Sequence, residues 1–139
     1  MTNHSLARSY LQKAPVRLKV LQLLFDEGAF SDVIRKARET VELALKGMLR
    51  HIGIEPPKWH DVCNILIEHR QRLPRDAEPH VERLKNISGW LRKEREFSLY
   101  GDIDFIPTEE YNEADARRAI DDVQCVVSMA AVVIPARDK

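Results

Sequence analysis

The sequence has little cysteine and no grouping of cysteine and histidine that is typical of a zinc site. Cys63 and Cys125 are its two cysteines, without a CxxC motif or a nearby histidine pair at ligand spacing. This scarcity argues against a disulfide framework and a structural zinc site, and we interpret both cysteines as small buried apolar side chains. We expect no metal and no cofactor.

An excess of charge of one sign is also missing. Lys and Arg total 22, and Asp and Glu total 22, so a nucleic-acid ligand would need a local basic patch. Apolar runs stay well short of the ~18 residues of a membrane helix, and residues 1–12 lack a basic segment followed by an apolar one. We expect a cytoplasmic protein without a membrane partner, folded as a single domain over residues 1–139.

The alternation of apolar and polar residues that marks β-strands is absent as well. Apolar residues instead recur at spacings of three and four, most regularly over residues 29–53. Charged residues occupy the opposite face of this segment, which predicts a long amphipathic helix at the centre of the fold. Ser31 or Asp32 is expected to cap its start, and Gly53 is expected to end it.

Four further helices are expected around this one. The first covers about residues 5–27, where Pro15 predicts either a kink or a fresh helix start and Gly28 predicts the end. Asn112 and Asp115 have the spacing of a capping box for the last helix. The remaining expected segments are a short helix in 59–70, a fourth helix over about 76–99 and a loop at 100–111. We therefore predict an all-α, up-and-down bundle of about five helices.

Three segments together resemble the HEPN domain family. They are ARETVELALKGMLRHIGIEPPKWHDV at 37–62, LRKEREFSLYGD at 91–102 and YNEADARRAIDDVQCVV at 111–127. The resemblance implies a helical bundle that usually forms homodimers. Many members of the family are metal-independent ribonucleases, often toxins that act with a minimal nucleotidyltransferase partner.

The family's catalytic motif is an arginine followed, after four to six residues, by a histidine. Arg92 and Arg95 stand in the corresponding segment, but no histidine follows them, and Ser98 and Tyr100 are the polar residues at that distance. A tyrosine, with a pKa near ~10, is a poor general base beside a histidine with a pKa near ~6.5. The resemblance thus leaves Arg92, Arg95 and Tyr100 as catalytic candidates without assigning a mechanism.

Three functions fit this pattern. The first is a module that binds nucleotide or RNA and acts with a nucleotidyltransferase in a toxin–antitoxin-like system, through Arg92, Arg95, Ser98, Tyr100 and His60. In some HEPN toxins a tyrosine two residues after the motif histidine is modified by the partner, and Tyr100 would occupy that place. The alternative is a metal-independent ribonuclease in which Tyr100 or His60 replaces the histidine. The third is a purely structural interaction protein.

Each candidate also has a simpler interpretation. The charged run around Arg92 and Arg95 is typical of a solvated helix face, and His60 is typical of a capping or packing residue. Trp59 and Trp90 are expected in the bundle core. Arg117 and Arg118 are expected to form surface ion pairs with neighbouring aspartates. The homodimer is expected to cover apolar residues at 97, 99, 103, 105 and 106.

Overall fold

The computed structural model describes the backbone of residues 3–58, 62–100 and 111–135, and the side chains of residues 5–58, 62–92 and 111–135. Regular structure within these ranges is helical and includes no strand, which confirms the predicted all-α class. The α-helices are α1 (Asn3–Asp26), α2 (Phe30–His51), α3 (Val62–Glu68), α4 (Val81–Tyr100) and α5 (Glu113–Val133), and 3₁₀ turns cover Arg70–Arg72 and Arg75–His80.

The long helix α2 lies at the centre of the bundle, as its periodicity predicts. It packs against α1, α3, α4 and α5. Its buried stripe follows the spacing of three and four residues that the sequence shows, and it includes Ile34, Ala37, Val41, Ala44, Leu45, Met48 and Leu49. Because every other α-helix described here contacts α2, this helix fixes the relative positions of the rest.

The two ends of α2 differ in how well the sequence predicts them. Gly53 has φ of +88°, and the N–H of Ile54 donates to the carbonyl oxygen of Leu49 at 3.0 Å, which is the predicted glycine-terminated end. The predicted cap by Ser31 or Asp32 is wrong. Ala29 is the N-cap and makes no side-chain hydrogen bond, and the helix begins two residues earlier than a cap at Ser31 requires.

The start of α2 is set by aromatic packing. The ring centroids of Phe25 and Phe30 lie 5.6 Å apart, so the first residue of α2 is held against the last turn of α1. Asp32 then falls inside the first helical turn, where the helix dipole favours a carboxylate, and it pairs with Arg35 at 3.2 Å.

Helix α1 runs through Pro15 without interruption, so the predicted alternative of a fresh start there is wrong. Ala14 and Leu21, on either side of the proline, are 1% and 0% exposed. Their burial against the bundle offsets the hydrogen bond that proline removes from the helix. The predicted end at Gly28 is confirmed by its φ of +74°.

Helix α4 begins later than the sequence predicts. Its expected start at Asp76 is wrong, because Arg75–His80 forms a 3₁₀ turn and the α-helix begins at Val81. Pro79 lies inside that turn, and a proline has no N–H and disfavours α-helical geometry in the residue before it. Arg72, in the first 3₁₀ turn, donates to the carbonyl oxygen of Ile52 at 3.3 Å, and α4 packs on α2.

The start of α5 confirms the predicted capping box. The backbone N–H of Asp115 donates to Oδ1 of Asn112 at 2.9 Å, and the N–H of Asn112 donates to Oδ2 of Asp115 at 3.1 Å. Residues 101–110 of the predicted loop, and also Trp59, His60 and Asp61, lie outside the described residues. Cys63 is buried as predicted, whereas Cys125 is only half-buried.

Candidate nucleotide and RNA interface

The arginine segment singled out by its sequence lies in the C-terminal half of α4. Arg92 is exposed on this helix, and position 95 follows one turn later. Ser98 and Tyr100 belong to the same helix, although their side chains and that of Arg95 lie outside the described residues. His60 lies outside them entirely, so the expected contribution of His60 stays a prediction.

The residues just before Arg92 anchor α4 firmly. Leu91 and Ile87 are 1% and 3% exposed, and Nε1 of Trp90 donates to Oδ2 of Asp122 on α5 at 2.8 Å. Trp90 is half-buried and packs against the core, in keeping with its expected place there. Arg92 therefore extends from a segment whose position is fixed from two sides, by the core and by α5.

Arg118 of α5 completes this anchor. Its guanidinium carbon lies 4.2 Å from the centroid of the Trp90 ring, and its Nε lies 3.8 Å from Oδ2 of Asp122. Asp122 thus accepts a hydrogen bond from the indole while pairing with a cation, and its side chain is only 13% exposed. A carboxylate with so little contact with water is stabilised by both partners.

Arg117 makes the equivalent contact on the other side of α5. Its guanidinium carbon lies 4.1 Å from the centroid of the ring of Phe25, which is in the last turn of α1. The sequence predicts surface ion pairs for Arg117 and Arg118, and the pair between Arg118 and Asp122 is present. Neither ring contact is predictable from the sequence, because Phe25 and Trp90 are distant from these arginines along the chain.

These contacts bring the C-terminal half of α4, the N-terminal half of α5 and the α1–α2 turn to one end of the bundle. A guanidinium that lies on an aromatic ring is held in place while its edge N–H groups stay available to an anion. Arg117 and Arg118 are both exposed. Together with Arg92, they supply arginine donors of the kind that phosphate groups bind.

Acidic residues lie close to Arg117 and Arg118 along α5. Asp121 is exposed beside Asp122, and Glu113 and Asp115 lie in the first turn of α5. Within the ranges that the structure describes, His, Cys, Asp and Glu side chains form no group of three that could hold a metal ion. In the same ranges, no helix has the length and apolar character needed to cross a membrane.

The model of the HEPN domain family matches residues 7–133 of the chain, which includes all of α2, α3, α4 and α5 and most of α1. The match also includes Arg92, Arg95, Ser98, Tyr100 and His60. No curated protein and no solved structure matches the chain.

Proposed function

The chain belongs to the HEPN domain family, and from that membership we propose that it is a module that binds nucleotide or RNA through the C-terminal half of α4. Arg92 and Arg95 contact phosphate groups in this proposal. Tyr100, Ser98 and His60 contribute stacking or hydrogen bonds to the same ligand. The observation that carries the proposal is the exposed Arg92 directly after a segment of α4 that Leu91 and Trp90 hold in place.

Rigid support matters because binding costs conformational entropy. A long side chain that becomes fixed on binding costs roughly 0.5–1.5 kcal/mol. A fixed helix beneath Arg92 adds no further cost for ordering backbone. Arg117 and Arg118 of α5, which lie on Phe25 and Trp90, are further arginines at the same end of the bundle.

Binding is favoured over catalysis by the composition of the motif. Arg92 and Arg95 stand in the segment that corresponds to the family motif, but the histidine that would transfer a proton near neutral pH is missing after them. The alternative function is a metal-independent ribonuclease in which Tyr100 or His60 takes the role of that histidine.

The proposal includes partners that HEPN proteins often have. We propose that the chain forms a homodimer and acts with a minimal nucleotidyltransferase in a toxin–antitoxin-like system. Co-purification of a tagged copy with a nucleotidyltransferase encoded beside it tests the partner separately from the ligand. Failure to recover such a protein would remove the partner without affecting the proposal for RNA.

Fluorescence anisotropy with a labelled single-stranded RNA at several salt concentrations tests the ligand. We expect Arg92→Ala and Arg95→Ala each to weaken binding and to reduce the slope of log K against log salt by about 0.7, the value for one lost phosphate contact on a single strand. Arg83→Ala is the matched control, because Arg83 is an exposed arginine earlier on the same helix. Equal losses in all three variants would show a nonspecific charge effect and contradict the proposed surface.

Incubation of the same RNA with excess chelator distinguishes binding from cleavage. The proposal predicts that the wild-type protein binds the RNA and leaves it intact. Cleavage by the wild type that is lost in Arg95→Ala and Tyr100→Phe, with helicity unchanged by circular dichroism, would establish the ribonuclease instead. Cleavage that persists in both variants would indicate a contaminating nuclease.

A further inference from the structure

Helix α1 is a local concentration of positive charge. It contains no acidic residue before Asp26, which is its last position. The whole chain has as many acidic as basic side chains, 22 of each, so this excess belongs to the helix and not to the protein. The basic residues of the helix are Arg8, Lys13, Arg17 and Lys19.

Three of these cations have no carboxylate partner among the described residues. Lys13 and Lys19 are exposed, and neither pairs with an acidic side chain within those ranges. Arg17 lies on the ring of Tyr10, with its guanidinium carbon 5.4 Å from the centroid, and its Nη1 is buried without a hydrogen-bond partner there. Such an unsatisfied nitrogen is uncommon in folded proteins. The described part of the chain therefore leaves the positive charge of α1 available to another molecule.

The same helix exposes apolar side chains on one face. Val16, Val20 and Leu23 are 61%, 40% and 59% exposed, and their spacings of four and three residues place them on adjoining turns. Ala14 and Leu21 are 1% and 0% exposed, so other positions of α1 supply its packing within the bundle. Single exposed apolar residues are common on protein surfaces, but a continuous stripe is typical of an interaction site.

The cations border this apolar stripe. With 3.6 residues per turn, Lys19 lies about 100° to one side of Val20 around the helix, and Arg17 lies about 60° to the other side. Lys13 lies nearly in line with Val20, about two turns before it. An apolar stripe with cations on both borders and at one end matches a surface that is apolar in its middle and acidic at its edges.

The reversal of charge at the end of α1 selects among the possible partners. Asp26 and Glu27 are exposed at the C-terminal end of the stripe. An RNA backbone or an anionic membrane is negative throughout, so it would be attracted at one end of α1 and repelled at the other. The stripe is also aliphatic and offers no ring on which a base could stack. A second copy of α1 would bring the same excess of cations, which opposes association.

We propose that the outer face of α1 docks an acidic amphipathic helix of a partner protein. Apolar residues of that helix, spaced by three and four, pack on the stripe, and its carboxylates lie opposite the bordering cations. A helix fits because the stripe is straight and extends about 10 Å from Val16 to Leu23. The surface lies on α1 and Arg92 lies on α4, so this inference does not depend on RNA binding.

Fluorescence anisotropy with a labelled synthetic peptide tests the chemistry of this surface. The peptide is helical, with leucines spaced by three and four and glutamates along both borders of the leucine stripe. A matched peptide has lysines in place of the glutamates. We expect the full chain to bind the lysine peptide about tenfold more weakly than the glutamate peptide, because several surface pairs change from attractive to repulsive. Equal affinity for both peptides, or no binding of the glutamate peptide, would overturn the proposal.

Substitutions on α1 locate the binding site of the glutamate peptide. We expect Val20→Asp to weaken binding by about tenfold or more, since it places a carboxylate within the apolar contact. Lys19→Ala should weaken binding by about two- to fivefold, as one surface pair is lost. Val132→Asp on α5 and Lys85→Ala on α4 are matched controls at exposed positions. Controls that lose as much affinity as the α1 variants would overturn the assignment to this face.

A reversal of charge tests the role of the cations directly. Lys13→Glu combined with Lys19→Glu changes two exposed positions of α1, and helicity by circular dichroism should stay unchanged. We expect this double variant to bind the lysine peptide more tightly than the glutamate peptide, the opposite of the wild type. A double variant that still prefers the glutamate peptide would overturn the proposed charge complementarity.

Other occupants of the face have separate readouts. Co-sedimentation with vesicles of phosphatidylcholine and phosphatidylserine, anisotropy with single-stranded RNA and light scattering are each carried out on the wild type and on Val20→Asp. We expect no vesicle binding, and we expect RNA affinity and molecular mass to be the same for both proteins. Vesicle binding, RNA binding or a dimer that Val20→Asp abolishes would assign the face to that occupant and overturn the partner helix. A wild type that binds the glutamate peptide and no RNA would contradict the proposed function and leave this surface standing.

Discussion

Tyr10 shows how one side chain connects two helices. It is 7% exposed, and its hydroxyl donates to the carbonyl oxygen of Thr40 at 2.8 Å, which joins α1 to α2. The guanidinium carbon of Arg17 lies 5.4 Å from the centroid of its ring. Burial raises the pKa of Tyr10 to about 12, an effect that the charge of Arg17 partly opposes.

Removal of this hydroxyl has a measurable cost. We expect Tyr10→Phe to lower the free energy of unfolding by ~1 kcal/mol at neutral pH, the net value of a typical hydrogen bond. The cost stays moderate because the ring and its packing are retained. Urea denaturation monitored by circular dichroism measures it, and Ser9→Ala, one residue earlier on α1 and half-buried, is the control. A variant as stable as the wild type would show that the bond contributes nothing.

The raised pKa of Tyr10 predicts a loss of stability at alkaline pH. In the unfolded chain the phenol ionises near pH ~10, whereas in the folded protein its pKa is about 12. Tyr10 therefore supports folding fully below pH ~10, and this support is lost as pH rises towards ~12, by up to ~2–3 kcal/mol. The fall should be smaller in Tyr10→Phe, and the tyrosinate absorbance that appears last in a titration should be absent from that variant. An unchanged alkaline titration would contradict the assignment to Tyr10.

Contacts between distant residues explain why the candidate site is only partly predictable from sequence. The position of Tyr10 on an apolar face follows from periodicity, but its partner Thr40 becomes known only once α1 packs on α2. The same holds for Arg118, whose pair with Asp122 follows from helical spacing while its place on Trp90 does not. The helical segment that carries the candidate site can thus be identified from the local sequence, whereas the tertiary contacts that support it cannot.

At the scale of the element, helix ends are predictable where a local backbone requirement sets them. Gly28 and Gly53 both have positive φ, which few other residues adopt, and the Asn112 capping box needs only residues three apart. The start of α2 was not predictable in this way, since the packing of Phe30 on Phe25 decides it. The start of α4 could in principle be predicted from Pro79, which favours the observed 3₁₀ turn before the helix.

Alanine substitutions at two glycines are expected to change the free energy of unfolding in opposite directions. A methyl group at Gly53 or at Gly89 would meet no atom within 4 Å, so space does not distinguish them. Gly53 has φ of +88°, and alanine there would cost ~1–2 kcal/mol of strain. Gly89 lies within α4, where alanine reduces the entropy of the unfolded chain and adds ~0.5–1 kcal/mol of stability.

We therefore expect Gly53→Ala to lower the midpoint of urea unfolding and Gly89→Ala to raise it. Both midpoints are measured on the same instrument with the wild type, and helicity at zero denaturant confirms that the fold is kept. A shift of the midpoint in the same direction for both variants would mean that backbone conformation does not determine the effect of alanine on stability at these positions.

At the scale of the whole molecule, the spacing of apolar residues predicts the all-α fold class and the central helix, because every turn of a buried helix needs apolar residues on its inner face. The stripe on residues 29–53 is wide enough to meet several neighbours, and α2 indeed contacts four other helices. The same reasoning does not establish how exposed the remaining apolar residues of α1 are, among them Val16, Val20 and Leu23. Only the packed structure shows that they are exposed.

The central place of α2 predicts the order in which the bundle opens. Its middle turns, around Ala44 and Met48, are both 0% exposed, and to free them α1, α4 and α5 must separate. Their amides should therefore exchange with solvent only through global unfolding. The short helix α3 and the 3₁₀ turns have fewer neighbours and should exchange faster through local opening.

Hydrogen exchange followed by mass spectrometry tests this order. Slowest exchange in peptides from the middle of α2 is the expected result, with a free energy of opening equal to that from urea denaturation. Tyr10→Phe should then speed exchange in these peptides by about fivefold, the equivalent of ~1 kcal/mol, and should leave α3 nearly unchanged if α3 opens locally. Faster exchange in α2 than in α5 would mean that α2 is released first, and the bundle would then not be organised around it.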